Sequence, residues 1–146
     1  MQENSNPQFN HFKLHTQYSI CEGAIKIDDL KEYCKKNKIQ IAGISDTSNL
    51  SGALEFSENL AKVGCQPIIG TQIVFNYKNN LGLIPLIAKN EAGYQKIIEL
   101  SSKSYLFNNT LNLPNCNFDE LLNLNDDVIV LSGSINGLVG KLFNNG

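Results

Sequence analysis

Three strand-like segments of this chain each end in a run of polar residues, and no other feature restricts its fold so much. They are His11-Phe-Lys-Leu-His15-Thr-Gln-Tyr-Ser19, Ile44-Ser-Asp46-Thr-Ser-Asn49-Leu-Ser-Gly52 and Pro67-Ile-Ile-Gly70-Thr-Gln72. Each leads into a turn or a helix. Parallel α/β proteins build their sites from polar side chains gathered at the carboxyl ends of successive strands. The pattern therefore points to an α/β fold with one site assembled from several strand ends.

The rest of the chain supports that order. Residues 11–15 alternate, with His11, Lys13 and His15 on one face and Phe12 and Leu14 on the other. Glu22-Gly23 reads as a turn, and Asp28 or Asp29 as the cap of a helix ending near Asn37. A buried strand follows over residues 40–45. A second helix starts at Ser51, carries Ala53, Phe56, Leu60 and Val63 on one face, and closes on Gly64. Strands are expected over 67–75 and, after Asn79-Asn80, over 81–88. Asn90 caps a helix through Ile97, Ile98 and Leu100. Asn117 to Glu120 has the form of a capping box, 128–131 that of a buried strand, and 135–143 that of a last helix. This β-α-β-α-β order predicts a mainly parallel sheet covered by helices.

Bulk properties exclude several function classes. A chain of 146 residues is one domain by length, and 42% apolar with 18% charged residues is a globular composition. A net charge of −2 argues against an electrostatic grip on nucleic acid by this segment. Lys31, Lys35, Lys36 and Lys38 form the one basic cluster and read as a solvated helix face. Cys21, Cys34, Cys65 and Cys116 lack zinc or disulfide-framework spacing, so reduced thiols in a cytoplasmic protein are expected. Residues 2–8 are polar and give no signal peptide, and the apolar run 81–88 is too short for a membrane span. Twenty asparagines lie mostly between periodic segments and read as turn residues. The chain carries no phosphate-binding glycine loop, and Ser132-Gly133-Ser134 lacks both a nucleophile elbow and a nearby histidine.

The three strand-end segments, with Leu86-Ile-Ala-Lys-Asn90-Glu-Ala-Gly-Tyr94 and Val130-Leu-Ser-Gly133, resemble the PHP (polymerase and histidinol phosphatase) domain. The likeness is to the type found at the N-terminus of bacterial DNA polymerase III alpha subunits. It implies a distorted β/α barrel, incomplete in this chain, with a polar tail over residues 1–9 and the N-terminal portion of the domain over 10–146. It also implies that the chain is a fragment or a truncated gene product.

PHP enzymes hydrolyse phosphate esters with divalent metals held by histidine and carboxylate ligands, and a metal-bound water attacks. The resemblance locates those ligands here only in part. The first motif, H-x-H, reads Lys13-Leu14-His15, and an ammonium has no lone pair to offer a cation. The acidic residue before glycine is Glu22. The T-D-H-x-N motif reads Ser45-Asp46-Thr47-Ser48-Asn49, and the glutamate after I-I-G-x is Gln72. His15, Glu22 and Asp46 are thus the remnants of a vestigial site, with Lys13, Thr47 and Gln72 at replaced ligand positions. His11 is kept from the polymerase-type pattern but is not the replaced ligand.

These replacements predict a segment without catalytic residues, cofactor or intact metal site. His15 reads as a hydrogen-bonded structural residue, and Asp46 as a helix cap joined to a salt bridge. Lys13 is expected to stand in for the lost metal charge by pairing with Glu22 or Asp46, because unpaired clustered carboxylates are costly to keep ionised. The resemblance further implies DNA-directed DNA synthesis, with Mg, by a downstream polymerase region. It assigns this segment to scaffolding and to docking of replisome partners, the proofreading exonuclease among them. The alternative is a stand-alone metal-dependent PHP phosphoesterase.

Overall fold

The computed structural model describes residues 9–106, 113–124 and 126–144. Helix α1 (Ile27–Asn37) buries Ile27, Leu30 and Cys34, one face at helical spacing. Asp28 and Asp29 do not cap it. They lie inside its first turn, where negative charge complements the helix dipole, and Lys26 holds the cap position without a side-chain bond. Strand β1 (Ile41–Thr47) follows, then helix α2 (Ala53–Ala61), which buries Ala53, Phe56 and Leu60. Gly64 beyond it has φ +75° with open space where a Cβ would sit, so the glycine is required by conformation and not by crowding.

Strand β2 (Gln66–Tyr77) runs parallel to β1 in a register that sets Ser45 beside Gly70 and Thr47 beside Gln72. The chain then reverses through Lys78 and Asn79, both at positive φ (48° and 65°), a two-residue turn that matches the twist of a hairpin. Strand β3 (Asn80–Ala88) is accordingly antiparallel to β2. Helix α3 (Glu91–Leu106) begins where Asn90 Oδ1 accepts the Gly93 N–H at 2.9 Å, the cap expected from sequence.

Strand β4 (Cys116–Asn117) pairs in parallel with the far end of β2, and helix α4 (Asp119–Leu122) follows it. Phe118, not Asn117, holds the α4 cap position and makes no side-chain bond, so the expected capping box does not form. Strand β5 (Val128–Val130) is antiparallel to β3, and helix α5 (Leu138–Asn144) begins three residues later than its pattern suggested.

The sheet order is β1-β2-β3-β5, with β4 beside β2. The α/β class stands. The sheet is mixed and not mainly parallel, because the hairpin turns β3 around and β5 then pairs against β3. Among the described residues the sheet stays open, an incomplete barrel wall.

Residues 11–16 lie along the free edge of β1 and form an isolated parallel bridge between Leu14 and Ile44. Gly43 N–H donates to His11 O at 2.7 Å and Ser45 N–H to Leu14 O at 2.8 Å. This edge is what remains of the strand expected over 11–15.

Two apolar clusters hold the layers. One joins α1, α2 and β1 through Ile27, Leu30, Ile44, Phe56 and Leu60. The other packs α3, α5 and β5 on β2 and β3 through Phe75, Leu86, Ile97, Val128 and Leu138. Each fully buried side chain of this size contributes about 1.5–3 kcal/mol, enough to fix the strand ends in place.

Candidate functional site

The first polar strand end supplies His15, Thr16 and Ser19, and the turn after it brings Glu22. The end of β1 supplies Asp46 and Thr47, and the middle of β2 supplies Gln72. The β1–β2 register makes Thr47 and Gln72 neighbours, while the bridge at Leu14 carries His15 to the same end.

Asp46 is 1% exposed. Its Oδ1 accepts the Thr16 backbone N–H at 2.6 Å and the Ser19 hydroxyl at 2.6 Å, and its Oδ2 accepts the Thr16 hydroxyl at 2.7 Å. Charge-assisted bonds of this length are the strong kind, and three of them satisfy a buried carboxylate without a cation. Asp46 is therefore neither a helix cap nor half of a salt bridge. Gly52 holds the α2 cap position without a side-chain bond, and no ion pair involves Asp46 among the described residues.

A second set of bonds runs through Gln72, Thr47 and Glu22. Gln72, 3% exposed, places Nε2 at 3.1 Å from His15 Nε2 and at 3.4 Å from Thr47 Oγ1. The Thr47 hydroxyl donates to Glu22 Oε2. His15 Nδ1 lies 3.4 Å from Ser19 Oγ and 3.7 Å from Glu22 Oε2. Ser19 Oγ also accepts the Thr47 backbone N–H at 3.1 Å. His15, Glu22, Asp46, Thr47 and Gln72 thus belong to one hydrogen-bonded network.

Lys13 stays outside it. Its side chain is exposed, and among the described residues it forms no ion pair with Glu22 or Asp46. The expected Lys13 substitution for the metal charge is not made. The physical reason is that backbone N–H and hydroxyl donors already engage both oxygens of the buried Asp46, so a lysine drawn in beside it would add desolvation cost. His11 is likewise exposed and stacks edge-on against Phe9 at 4.7 Å.

Thr16 and Ser19 carry no motif signal and are the functional positions that sequence reasoning missed. Their proximity to His15 in the same polar strand end is the one hint available. Tyr18, between them, ties the turn to α2 through Glu55, its hydroxyl donating to Oε2 at 2.6 Å. That bond raises the Tyr18 phenol above its ordinary value.

Beside the network lies a cavity of about 240 Å³ bordered by Glu22, Thr47, Val74, Leu83 and Lys141. Lys141 Nζ donates to the Leu81 carbonyl at 2.9 Å. Burial pushes both the Cys34 and Cys116 thiols up to about 11, which disfavours their reactive thiolates. Among the described residues no three His, Cys, Asp or Glu side chains gather in a way that could hold a metal ion. No helix among them is long and apolar enough to cross a membrane.

A mixed α/β sheet whose strand ends collect His15, Glu22, Asp46 and Gln72 defines a protein of the PHP class, and the profile of that family matches residues 11–146; the chain belongs to the PHP domain family. Its curated relatives include DNA polymerase III alpha subunits. That of Rickettsia felis is 33% identical over 138 residues, covering 92% of this chain and 11% of the relative. That of Caulobacter vibrioides is 35% identical over 143 residues (92% and 12%), and that of Haemophilus influenzae 33% over 142 residues (94% and 12%). The chain thus spans about an eighth of the length of these relatives. A solved chain from Bifidobacterium adolescentis, assigned as a metal-dependent phosphoesterase, aligns with TM-score 0.49 and 19% identity over 67% of this chain and 35% of that one.

Proposed function

We propose that this chain is the PHP portion of a replicative DNA polymerase III alpha subunit, with a degenerate metal site, serving as scaffold and docking surface. The observation that carries this reading is 33–35% identity to polymerase III alpha subunits over nearly the whole chain. Templated DNA synthesis and its Mg belong, on this reading, to the region that follows in the full-length relatives. A cytoplasmic location and contacts with replisome partners, including a proofreading exonuclease, go with it.

The divalent ions that PHP enzymes use do not fit the residues present. Imidazole suits borderline ions such as zinc and carboxylate oxygen suits hard ions such as manganese, and a bound ion needs several such donors free in one shell. Here both Asp46 oxygens are engaged by protein donors, and His15 Nε2 faces an amide nitrogen. Thr47 and Gln72 replace the remaining ligands with neutral groups, and Lys13 with a cation.

Elemental analysis and phosphatase assays on the purified chain test the degenerate site. Stoichiometric zinc or manganese, with phosphoesterase activity lost in His15→Ala, would replace this reading with the phosphoesterase one. Polymerase motifs downstream in the reading frame support the larger assignment, and a stop codon after a closed barrel refutes it. Docking is tested by capturing the exonuclease with the full-length alpha subunit and with a form lacking residues 1–146. Equal capture by both forms would remove the docking role.

A further inference from the structure

The hydrogen bonds around His15 have a direction, and that direction shows what now fills the site. Both ends of the network are carboxylates, which in ionised form accept hydrogen bonds and donate none. The Thr47 hydroxyl hydrogen goes to Glu22, so Thr47 Oγ1 has only lone pairs left for Gln72. The group of Gln72 facing it must then be the amide N–H₂, whose nitrogen is also the atom 3.1 Å from His15 Nε2. An N–H₂ group can only donate, so His15 Nε2 must be the bare, accepting nitrogen.

The opposite side of the ring leads to the same assignment independently. Ser19 sends its hydroxyl hydrogen to Asp46, and its oxygen already accepts the Thr47 N–H. What faces His15 Nδ1 is therefore a hydroxyl lone pair and the Glu22 carboxylate. A bare Nδ1 would meet only acceptors, so Nδ1 must carry the hydrogen.

We infer that the Gln72 amide, and not Lys13, occupies the cation's role in this site. Together with the acceptors Ser19 and Glu22 on the other side of the ring, it fixes His15 as the Nδ1–H tautomer, and its two N–H groups turn toward the His15 and Thr47 lone pairs. This inference rests on the degenerate-site reading above and deepens it. A neutral amide gives a directed donor to each lone pair without a buried net charge and without the desolvation an ammonium would suffer. The same arrangement sets a threshold against metals, because an ion reaching His15 Nε2 must first displace Gln72.

The test is two-bond ¹H–¹⁵N correlation of the ring nitrogens in the ¹⁵N-labelled chain, in excess EDTA at pH 8. The chain has two histidines, and His11→Ala assigns the signals. The expected result is His15 protonated at Nδ1 and bare at Nε2, with Gln72→Ala keeping the Nδ1–H ring but moving the Nε2 resonance toward that of a bare nitrogen that accepts no hydrogen bond. An Nε2–H ring in the unmodified chain overturns the inference, as does an Nε2 resonance left unchanged by Gln72→Ala. Because the measurement is made without metal, it is separate from the elemental analysis. Metal found in the purified chain would count against the degenerate site whatever the tautomer.

Discussion

Asp46 binds one residue, Thr16, with both oxygens: Oδ1 takes its backbone N–H at 2.6 Å and Oδ2 its hydroxyl at 2.7 Å. Thirty residues separate the two in sequence, so this double bond fixes the turn that carries His15 and Glu22 onto the end of β1. The Asp46 carboxylate is thus a structural clamp between the two segments.

Removing that clamp should be expensive. Asp46→Ala leaves two hydroxyls and one backbone N–H facing a cavity, and bonds to a charged group are worth about 1.5–3 kcal/mol each without full additivity. We expect a loss of about 3–5 kcal/mol by urea unfolding. Thr16→Val, which removes only the hydroxyl, should cost about 1–2 kcal/mol. Equal midpoints for Asp46→Ala and the unmodified chain would show that the clamp has no energetic role.

Lys13→Met should change stability by no more than about 0.5 kcal/mol, as for a surface position without a partner. The same urea series measures it. A loss approaching that of Asp46→Ala would mean that the ammonium does pair with a carboxylate in solution.

The Glu22 turn depends on a close backbone approach. A Cβ added at Gly23 would lie 2.0 Å from the Thr16 carbonyl oxygen, a contact that only a backbone shift can relieve. Gly23→Ala should therefore destabilise by about 1–3 kcal/mol and detach Glu22 from Thr47. Loss of the Thr47 hydroxyl proton's protection from exchange would report the second effect; an unperturbed stability curve would exclude the first.

Away from the site, Lys96 Nζ lies 2.8 Å from Asp127 Oδ2, and this bond chiefly, with that from Asn90, holds the Asp127 carboxyl below its ordinary 3.8. A depressed folded-state value contributes stability that is complete above the unfolded value. It is lost as pH falls through the folded one. Lys96→Met should thus be less stable than the parent at pH 6, and the gap should narrow below about pH 4 as Asp127 protonates. Parallel unfolding free energies from pH 6 to pH 2.5 would contradict this coupling.

Chelation should leave the fold untouched. A ligand bound to the native state alone adds stability according to its concentration and affinity. With Asp46 and His15 already engaged by protein donors, EDTA treatment followed by exhaustive dialysis should not move the urea midpoint. A lowered midpoint restored by zinc or manganese would reveal a bound ion.

What the sequence determined by itself is local. The apolar spacing of Phe56 and Leu60 fixes α2, the Asn90 side chain and its three-residue offset to Gly93 fix the start of α3, and Gly64 marks a conformation that other residues resist. All of these depend on interactions within a few residues, which a sequence displays directly.

Tertiary structure decided the rest. Whether β3 ran parallel or antiparallel to β2 turned on two positive-φ residues, Lys78 and Asn79, neither of them the glycine that would have announced the turn. Which donors satisfied Asp46 turned on a bridge between Leu14 and Ile44, which brings Thr16 and Ser19 across about thirty residues. Lys13 looked like the obvious partner because opposite charges attract in any sequence. In the folded chain neutral hydroxyls reached the carboxylate first, and the ammonium kept its water, since a buried group pairs with the donor that geometry delivers and not with the one of greatest charge.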